Sequence, residues 1–203
     1  MSSQKANNAM REPSRKRGHE RVAALLGAAA SCIVEKGYDA VTLTEIAARA
    51  GASIGSLYQF FPTRDALVHA LLTDYTEALY ARLATLASDA EAWDTDQLAT
   101  QLIGFLALFR RRYPAFAVLA ESPSLPASYG MGIRKRLRAE LQALLQQKSP
   151  DVPAVKLRAA TVVVQQLMKA AVAVHAESGL VDRKNALAEL EQAMQLYLRS
   201  VLS

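Results

Sequence analysis

Residues 41–63 read Val41-Thr42-Leu43-Thr44-Glu45-Ile46-Ala47-Ala48-Arg49-Ala50-Gly51-Ala52-Ser53-Ile54-Gly55-Ser56-Leu57-Tyr58-Gln59-Phe60-Phe61-Pro62-Thr63. Thr42 can cap a helix while Glu45, three residues on, reaches back to the Thr42 backbone amide. Val41 and Ile46 stand where a hydrophobic staple needs them. Three parts of one start signal therefore coincide. The helix they open is short and ends near Ala50-Gly51. Gly51-Ala52-Ser53 makes a tight turn, Ser53 caps a second helix to about Phe60, and Phe61-Pro62-Thr63 breaks it.

Two short helices joined by a Gly-containing turn have the form of a helix-turn-helix. In that motif the second helix enters the major groove of DNA. An eight-residue helix is about 12 Å long, which suits a groove about 12 Å wide. With Leu57 and Phe60 toward the core, Ile54, Gly55, Ser56 and Gln59 face outward toward bases. The capped starts at Thr42 and Ser53 offer backbone amides to phosphates, and Tyr58 offers a hydroxyl.

Outward from this stretch the chain reads as helices throughout. A first helix is expected over residues 20–36, stopped by Gly37. Thr63 caps a fourth helix that can reach Leu86, with Asp65 near its positive end. A polar connection over residues 88–96 follows. Leu98, Leu102, Phe105, Leu106 and Phe109 then recur at helical spacing. A short piece begins at Pro114, and residues 122–130 read as a loop. Ile133, Leu137, Leu141 and Leu144 mark another helix, Pro153 opens a long one to about His175, and a last one covers about residues 183–202. The reading is all-α, about nine helices and no sheet. Composition agrees: Ala occurs 38 times and Leu 28 times in 203 residues, while Gly (9) and Pro (7) are scarce. Such a balance favours helix and disfavours many-stranded architectures.

Net charge is +5, and residues 1–21 hold six basic residues against two acidic ones. Residues 1–19 are expected to be a basic, flexible arm, either solvated or touching phosphates. The uncharged run 22–34 imitates a signal-peptide core, but it continues into Glu35-Lys36-Gly37-Tyr38 without a small-x-small cleavage site. No other run approaches the length of a membrane span. The single cysteine, Cys32, cannot form an intrachain disulfide, so a reducing cytoplasm fits.

Enzyme readings fail locally. Gly51-Ala52-Ser53-Ile54-Gly55 matches G-x-S-x-G, but a nucleophile elbow needs a strand before the serine, and here a helix precedes it. His19, His69 and His175 are the only histidines and have no metal-ligand spacing. No metal, no cofactor and no catalytic residue is expected.

Three segments, Glu35-Lys36-Gly37-Tyr38, Thr42 to Gly51 and Ser53 to Leu67, together strongly resemble the DNA-binding domain of TetR-family transcriptional regulators. The likeness covers about residues 20–68. It implies a helix-turn-helix domain over 20–68 and a helical ligand-binding and dimerisation domain over 69–203. By position, Thr42 and Thr44 correspond to phosphate contacts, and Ser53, Ile54, Gly55, Ser56, Tyr58 and Gln59 fall on the DNA-reading helix. Arg64 stands where the family usually has Lys. Ile54 replaces a frequent basic residue and Gln59 a frequent His, which bears on the operator sequence. The resemblance also implies a homodimer on a near-palindromic double-stranded operator, acting as a repressor released by a small-molecule inducer. The alternative function is a helical ligand-binding or interaction protein whose helix-turn-helix no longer reads a specific operator.

Beyond the motif, candidate pocket liners are Phe105, Phe109, Phe116, Tyr129, Met131, Met168 and His175. Two basic clusters, Arg110-Arg111-Arg112 and Arg134-Lys135-Arg136 with Arg138, read as solvated faces or as sites for an anion. In the last helix Leu187, Leu190, Met194, Tyr197 and Val201 alternate three and four apart, a heptad-like seam. Val162, Val163, Ala170 and Val174 offer small or branched residues on the helix before it. These nine positions form the expected dimer interface, a four-helix contact.

Overall fold

The computed structural model describes residues 11–202, with side chains from residue 16 onward. Among them are nine α-helices and one 3-10 turn, with no strand. The helices are α1 (Arg11–Lys36), α2 (Leu43–Arg49), α3 (Ile54–Phe60), α4 (Arg64–Asp89), α5 (Thr95–Arg112), α6 (Pro114–Glu121), α7 (Ala127–Lys148), α8 (Ala154–Ala176) and α9 (Arg183–Leu202); the turn is Ala90–Ala92.

Helix α1 begins nine residues before the expected start at residue 20. Arg11 to His19 of the expected 1–19 arm are therefore helical, and residues 1–10 lie outside the described residues. The added turns are rich in Arg, Lys and Glu, which propagate helix without needing a core, and Pro13 stands in the first turn, where it is tolerated. The expected connection over 88–96 is also largely helical, through the end of α4, the 3-10 turn and the start of α5. Asp94 caps α5 in a reciprocal box with Gln97, a start signal the sequence reading passed over.

The chain divides into two compact units. The first comprises the described residues up to Tyr75 together with Pro114–Ser124. Its centre is the buried stripe Leu25, Leu26, Ala29, Cys32 and Ile33 of α1, with Ile46 of α2, Leu57 of α3 and Leu67 and Leu71 of α4. Helix α6 packs on α1, and its Phe116 meets Tyr75 edge-on at 6.1 Å between centroids. The second unit comprises Thr76–Tyr113 and the described residues from Leu125 onward. There α5 packs on α8 and α9, and α7 packs on α8. Its core includes Leu98, Leu102, Phe109, Leu141, Val164, Met168 and Leu198. This division differs from a boundary at 68/69: it falls seven residues later in α4, and α6 groups with the first unit.

Helix α8 is long and apolar enough, by length and composition, to cross a membrane. In this fold it is a core helix, with Leu157, Ala160, Val164, Met168 and Ala171 buried. Its two buried polar side chains are satisfied. Thr161 donates to the Leu157 carbonyl at 2.7 Å, and Gln165 accepts from Arg138 Nε at 2.8 Å and donates to the Arg134 carbonyl at 3.3 Å.

Candidate nucleic-acid interface

The motif is built by its caps. Thr42 accepts from the Glu45 amide at 3.3 Å, and the Glu45 carboxylate accepts from the Thr42 amide at 3.2 Å. Helix α2 then closes in a Schellman arrangement: the Gly51 amide bonds the Ala48 carbonyl at 3.1 Å and the Ala52 amide that of Ala47 at 2.9 Å. The turn holds Gly51 at φ +62°, a left-handed value that costs a side-chain-bearing residue about 1 kcal/mol or more. Ser53 accepts from the Ser56 amide at 3.2 Å, so the serine of the G-x-S-x-G match is a helix cap.

Helix α3 is anchored by one fully buried side chain, Leu57. Around it Ile54, Gly55, Tyr58 and Gln59 are exposed, and Ser56 is half-buried. Tyr58 is 51% and Ile54 38% exposed. Phe60, expected in the core, is exposed, and Phe61 takes the buried place. Phe61 leaves the helix at φ −133°, ψ 91°, and that extended backbone turns its ring inward. A Cβ on Gly55 would meet nothing within 4 Å. The chain's own packing therefore does not require glycine there.

Helix α3 carries no charged side chain. Positive charge comes from α1, where Lys16, Arg17 and Arg21 are exposed. Lys36 and Arg49 are already engaged: Lys36 pairs with Glu45, and Arg49 holds Glu35 with both guanidinium nitrogens. These straps join α1 to α2 and hold both carboxyls below their ordinary range, through the hydrogen bond from Arg49 to Glu35 and that from Lys36 to Glu45.

Arg64 lies over the Tyr38 ring at 4.4 Å and donates to the carbonyl of Asp39 at 3.2 Å. Tyr38 is buried and donates to Asp65 at 3.0 Å. Burial, then the Asp65 hydrogen bond, raises its pKa. Arg64 thus fastens the turn between α1 and α2 to the start of α4, and Thr42 and Thr44 are exposed on the neighbouring helix start.

The expected pocket residues are not gathered in one place. Phe116 belongs to the first unit. Met168 is wholly buried, Met131 is exposed on α7, His175 is exposed in the last turn of α8, and Tyr129 is half-buried. Phe105 and Phe109 line two adjoining grooves between the second half of α4 and α5. One, of about 430 Å³, takes in Ala78, Arg82, Leu108, Phe109, Arg111, Arg112 and Tyr113. The other, of about 440 Å³, takes in Ala81, Arg82, Thr85, Leu86, Asp89, Trp93, Gln101, Phe105 and Leu108. Sequence reasoning missed Arg82, Leu108 and Trp93; Leu108, an apolar residue off the α5 core stripe, was the available signal.

The expected dimer seam is partly internal. Met194 and Val201 are buried within their own protomer, and Leu187, Leu190 and Tyr197 are half-buried. An amphipathic stripe first serves its own core, here against α5 and α8. Burial raises the Tyr197 pKa accordingly. The outward apolar residues are Val155, Val162 and Val163 on α8 and Leu196 on α9, with Ala170 and Val174 half-buried beside them. Of the second basic cluster, Arg138 is held by Gln165, and Arg136 lies over the Tyr80 ring at 3.9 Å.

Residues 25–71 match the family model for bacterial regulatory proteins of the tetR family. Over this segment the chain is similar to the DNA-binding region of the TetR family. Over 68 residues it is 40% identical to an uncharacterized HTH-type transcriptional regulator of Mycobacterium bovis, a match spanning 34% of this chain and 36% of that relative. The chain thus matches about a third of the length of such curated relatives. Among solved structures, a TetR transcription regulator from Haloarcula marismortui is similar with TM-score 0.69 and 18% identity, over 91% of this chain and all of that one. The transcriptional regulator FadR from Bacillus subtilis, solved with stearoyl-CoA, is similar with TM-score 0.63 and 17% identity, over 89% and 98% of the two chains. At these identities the likeness to solved structures concerns the TetR fold, an N-terminal helix-turn-helix followed by a helical domain.

Proposed function

We propose that this chain is a ligand-responsive DNA-binding transcriptional regulator of the TetR family. In this reading it is a cytoplasmic repressor that holds a near-palindromic operator as a homodimer and releases it when a small-molecule inducer binds. The observation that carries the reading is the outer face of α3, where Ile54, Gly55, Tyr58 and Gln59 stand exposed around the single anchor Leu57. An exposed face with an apolar residue, an aromatic and an open glycine suits an interaction surface better than a solvated one. Ser56 and Gln59 would read bases, while Thr42, Thr44, Tyr58, the α3 start at Ser53 and the free part of Arg64 would fix register on phosphates. Lys16, Arg17 and Arg21 would add sequence-independent attraction.

The homodimer is supported by the exposed valines of α8 and Leu196 of α9. Two half-sites one turn apart require recognition helices about 34–36 Å apart. An inducer acts by binding the non-DNA state more tightly, and a 100-fold loss of operator affinity needs about 2.7 kcal/mol of coupling. The FadR structure with stearoyl-CoA supports ligand binding by this fold.

The uncharged surface of α3 is the one feature that favours the alternative, a ligand-binding or interaction protein with a silent helix-turn-helix. Selection and sequencing of bound genomic fragments separates the two: a palindromic motif is expected here, and the absence of any enriched motif sinks the regulator reading. On the selected site, Gln59→Ala is expected to cost roughly 1–3 kcal/mol at particular base pairs. Equal losses on cognate and scrambled DNA would remove Gln59 from base readout.

A further inference from the structure

The two grooves between α4 and α5 share Arg82 and Leu108, so they form one trough. It follows α4 from Ala78 to Asp89, about 16 Å at 1.5 Å per residue. Its ends differ in chemistry. At one end Arg82, Arg111 and Arg112 line the wall, and no carboxylate lines it with them. Among the described residues none of these three guanidiniums pairs with a carboxylate; Arg112 lies over the Tyr113 ring at 5.5 Å. Toward the other end Leu108, Phe105, Leu86 and Trp93 supply an apolar floor, with Thr85, Gln101 and the carboxylate of Asp89 also in the lining. Leu108 is 43% exposed, a large apolar side chain left open along the trough.

Basic residues in the last turn of α5 offset the partial negative charge of its carbonyl end. That accounts for cations on α5 but not for Arg82, which stands on α4 and faces the same groove. Like charges from two helices gathered around one concavity, beside open apolar surface, fit a ligand that brings the missing charge and covers the apolar floor. Each groove falls in the usual 300–1,000 Å³ range of small-molecule sites.

We propose that the trough binds an amphipathic anion, a molecule with an elongated apolar body and a carboxylate or phosphate at one end. The head rests on Arg82, Arg111 and Arg112, where guanidinium forks suit either oxyanion, and the body lies along Leu108 and Phe105 toward Trp93. The assignment rests on the ligand-responsive reading above and names its ligand class.

Trp93 is the chain's only tryptophan, so its emission reports occupancy directly. Full-length protein is titrated below micellar concentrations with dodecanoate, monododecyl phosphate, 1-dodecanol and dodecyltrimethylammonium. Saturable change is expected with the two anions, at least tenfold tighter than with the alcohol, and none with the cation. Dodecanoate against the phosphate ester tells which head group is preferred. Arg111→Gln with Arg112→Gln, and Arg82→Gln alone, are expected to weaken anion binding tenfold or more, while Lys135→Gln, at an exposed position of α7, leaves it unchanged. Equal affinity for alcohol and anion, or arginine variants that bind as the wild type does, overturns the proposal. So does dodecanoate affinity that falls with protein concentration, since that marks a second copy as the occupant. Titration into the complex with selected DNA separates the two readings. Anion-selective binding that leaves DNA affinity unchanged upholds the ligand class and sinks the inducer role.

Discussion

The two units use their surfaces in opposite ways. The helix-turn-helix unit buries Ile46 of α2 and Leu57 of α3 and leaves a small outward patch on α3, held up by that one leucine and two capped turns. The second unit has a larger core but leaves wide apolar surface open, along the trough and on the outward side of α8. Within the helix-turn-helix the positioning interactions are local caps, whereas in the second unit several join residues far apart in sequence, such as Lys148 to the carbonyls of Ala90 and Trp93. A surface that must hold a rigid, fixed partner is well served by local capping. Surfaces for a ligand or a second copy depend on how long helices come together.

The largest effect is expected at the single anchor of α3. Leu57→Ala leaves a cavity and should cost about 2–5 kcal/mol of the first unit's stability. Urea unfolding followed by circular dichroism should show an early transition, with DNA binding lost in it. Retention of DNA affinity alongside that destabilisation would mean α3 does not depend on Leu57 for its position.

Next comes the outward face of α8 and α9. If the proposed homodimer forms through this face, Val163→Glu or Leu196→Glu, which places charge on the exposed apolar surface, should yield monomers by light scattering at micromolar concentration, with helicity retained. Met194→Glu differs in kind: at a wholly buried site it should unfold the second unit rather than merely dissociate it. Equal behaviour of Met194 and Leu196 variants would contradict the inward and outward assignment of the α9 faces.

The smallest effect concerns the straps between α1 and α2. Glu35 and Glu45 have lowered pKa values in the folded state. Their stabilisation is therefore present above the ordinary carboxylate pKa of about 4.3 and is lost as pH falls through the lower folded values. Stability of the first unit should decline below about pH 4.3. Glu35→Gln with Glu45→Gln should flatten that decline and change little at pH 7, because exposed pairs contribute weakly. An unchanged acid profile in the double variant would show that other carboxylates govern acid unfolding.

Tyr38 and Tyr80 are held neutral chiefly by burial.

The sequence by itself determined the helices and, above all, the motif. The Thr42 box, the Gly51 turn and the Ser53 cap act over three to five residues, so each is complete within the string that encodes it. The same locality made Thr42, Ser53, Gly55, Tyr58 and Gln59 legible as a surface, although the exchange of Phe60 for Phe61 was not, because it turns on one residue's backbone leaving the helix. Tertiary structure alone decided the rest. A 3-4 apolar spacing says that Leu187, Leu190, Met194, Tyr197 and Val201 share a face but not what covers it; α5 and α8 of the same protomer cover much of it. Arg82 and Arg111 lie 29 positions apart and line one groove only because the fold brings part of α4 and the end of α5 to its two walls. Met168 and His175, seven residues apart and so on one helix face by spacing, end as core and surface. Helical periodicity specifies direction around an axis, and only the packing of axes against one another turns direction into burial, pocket or interface.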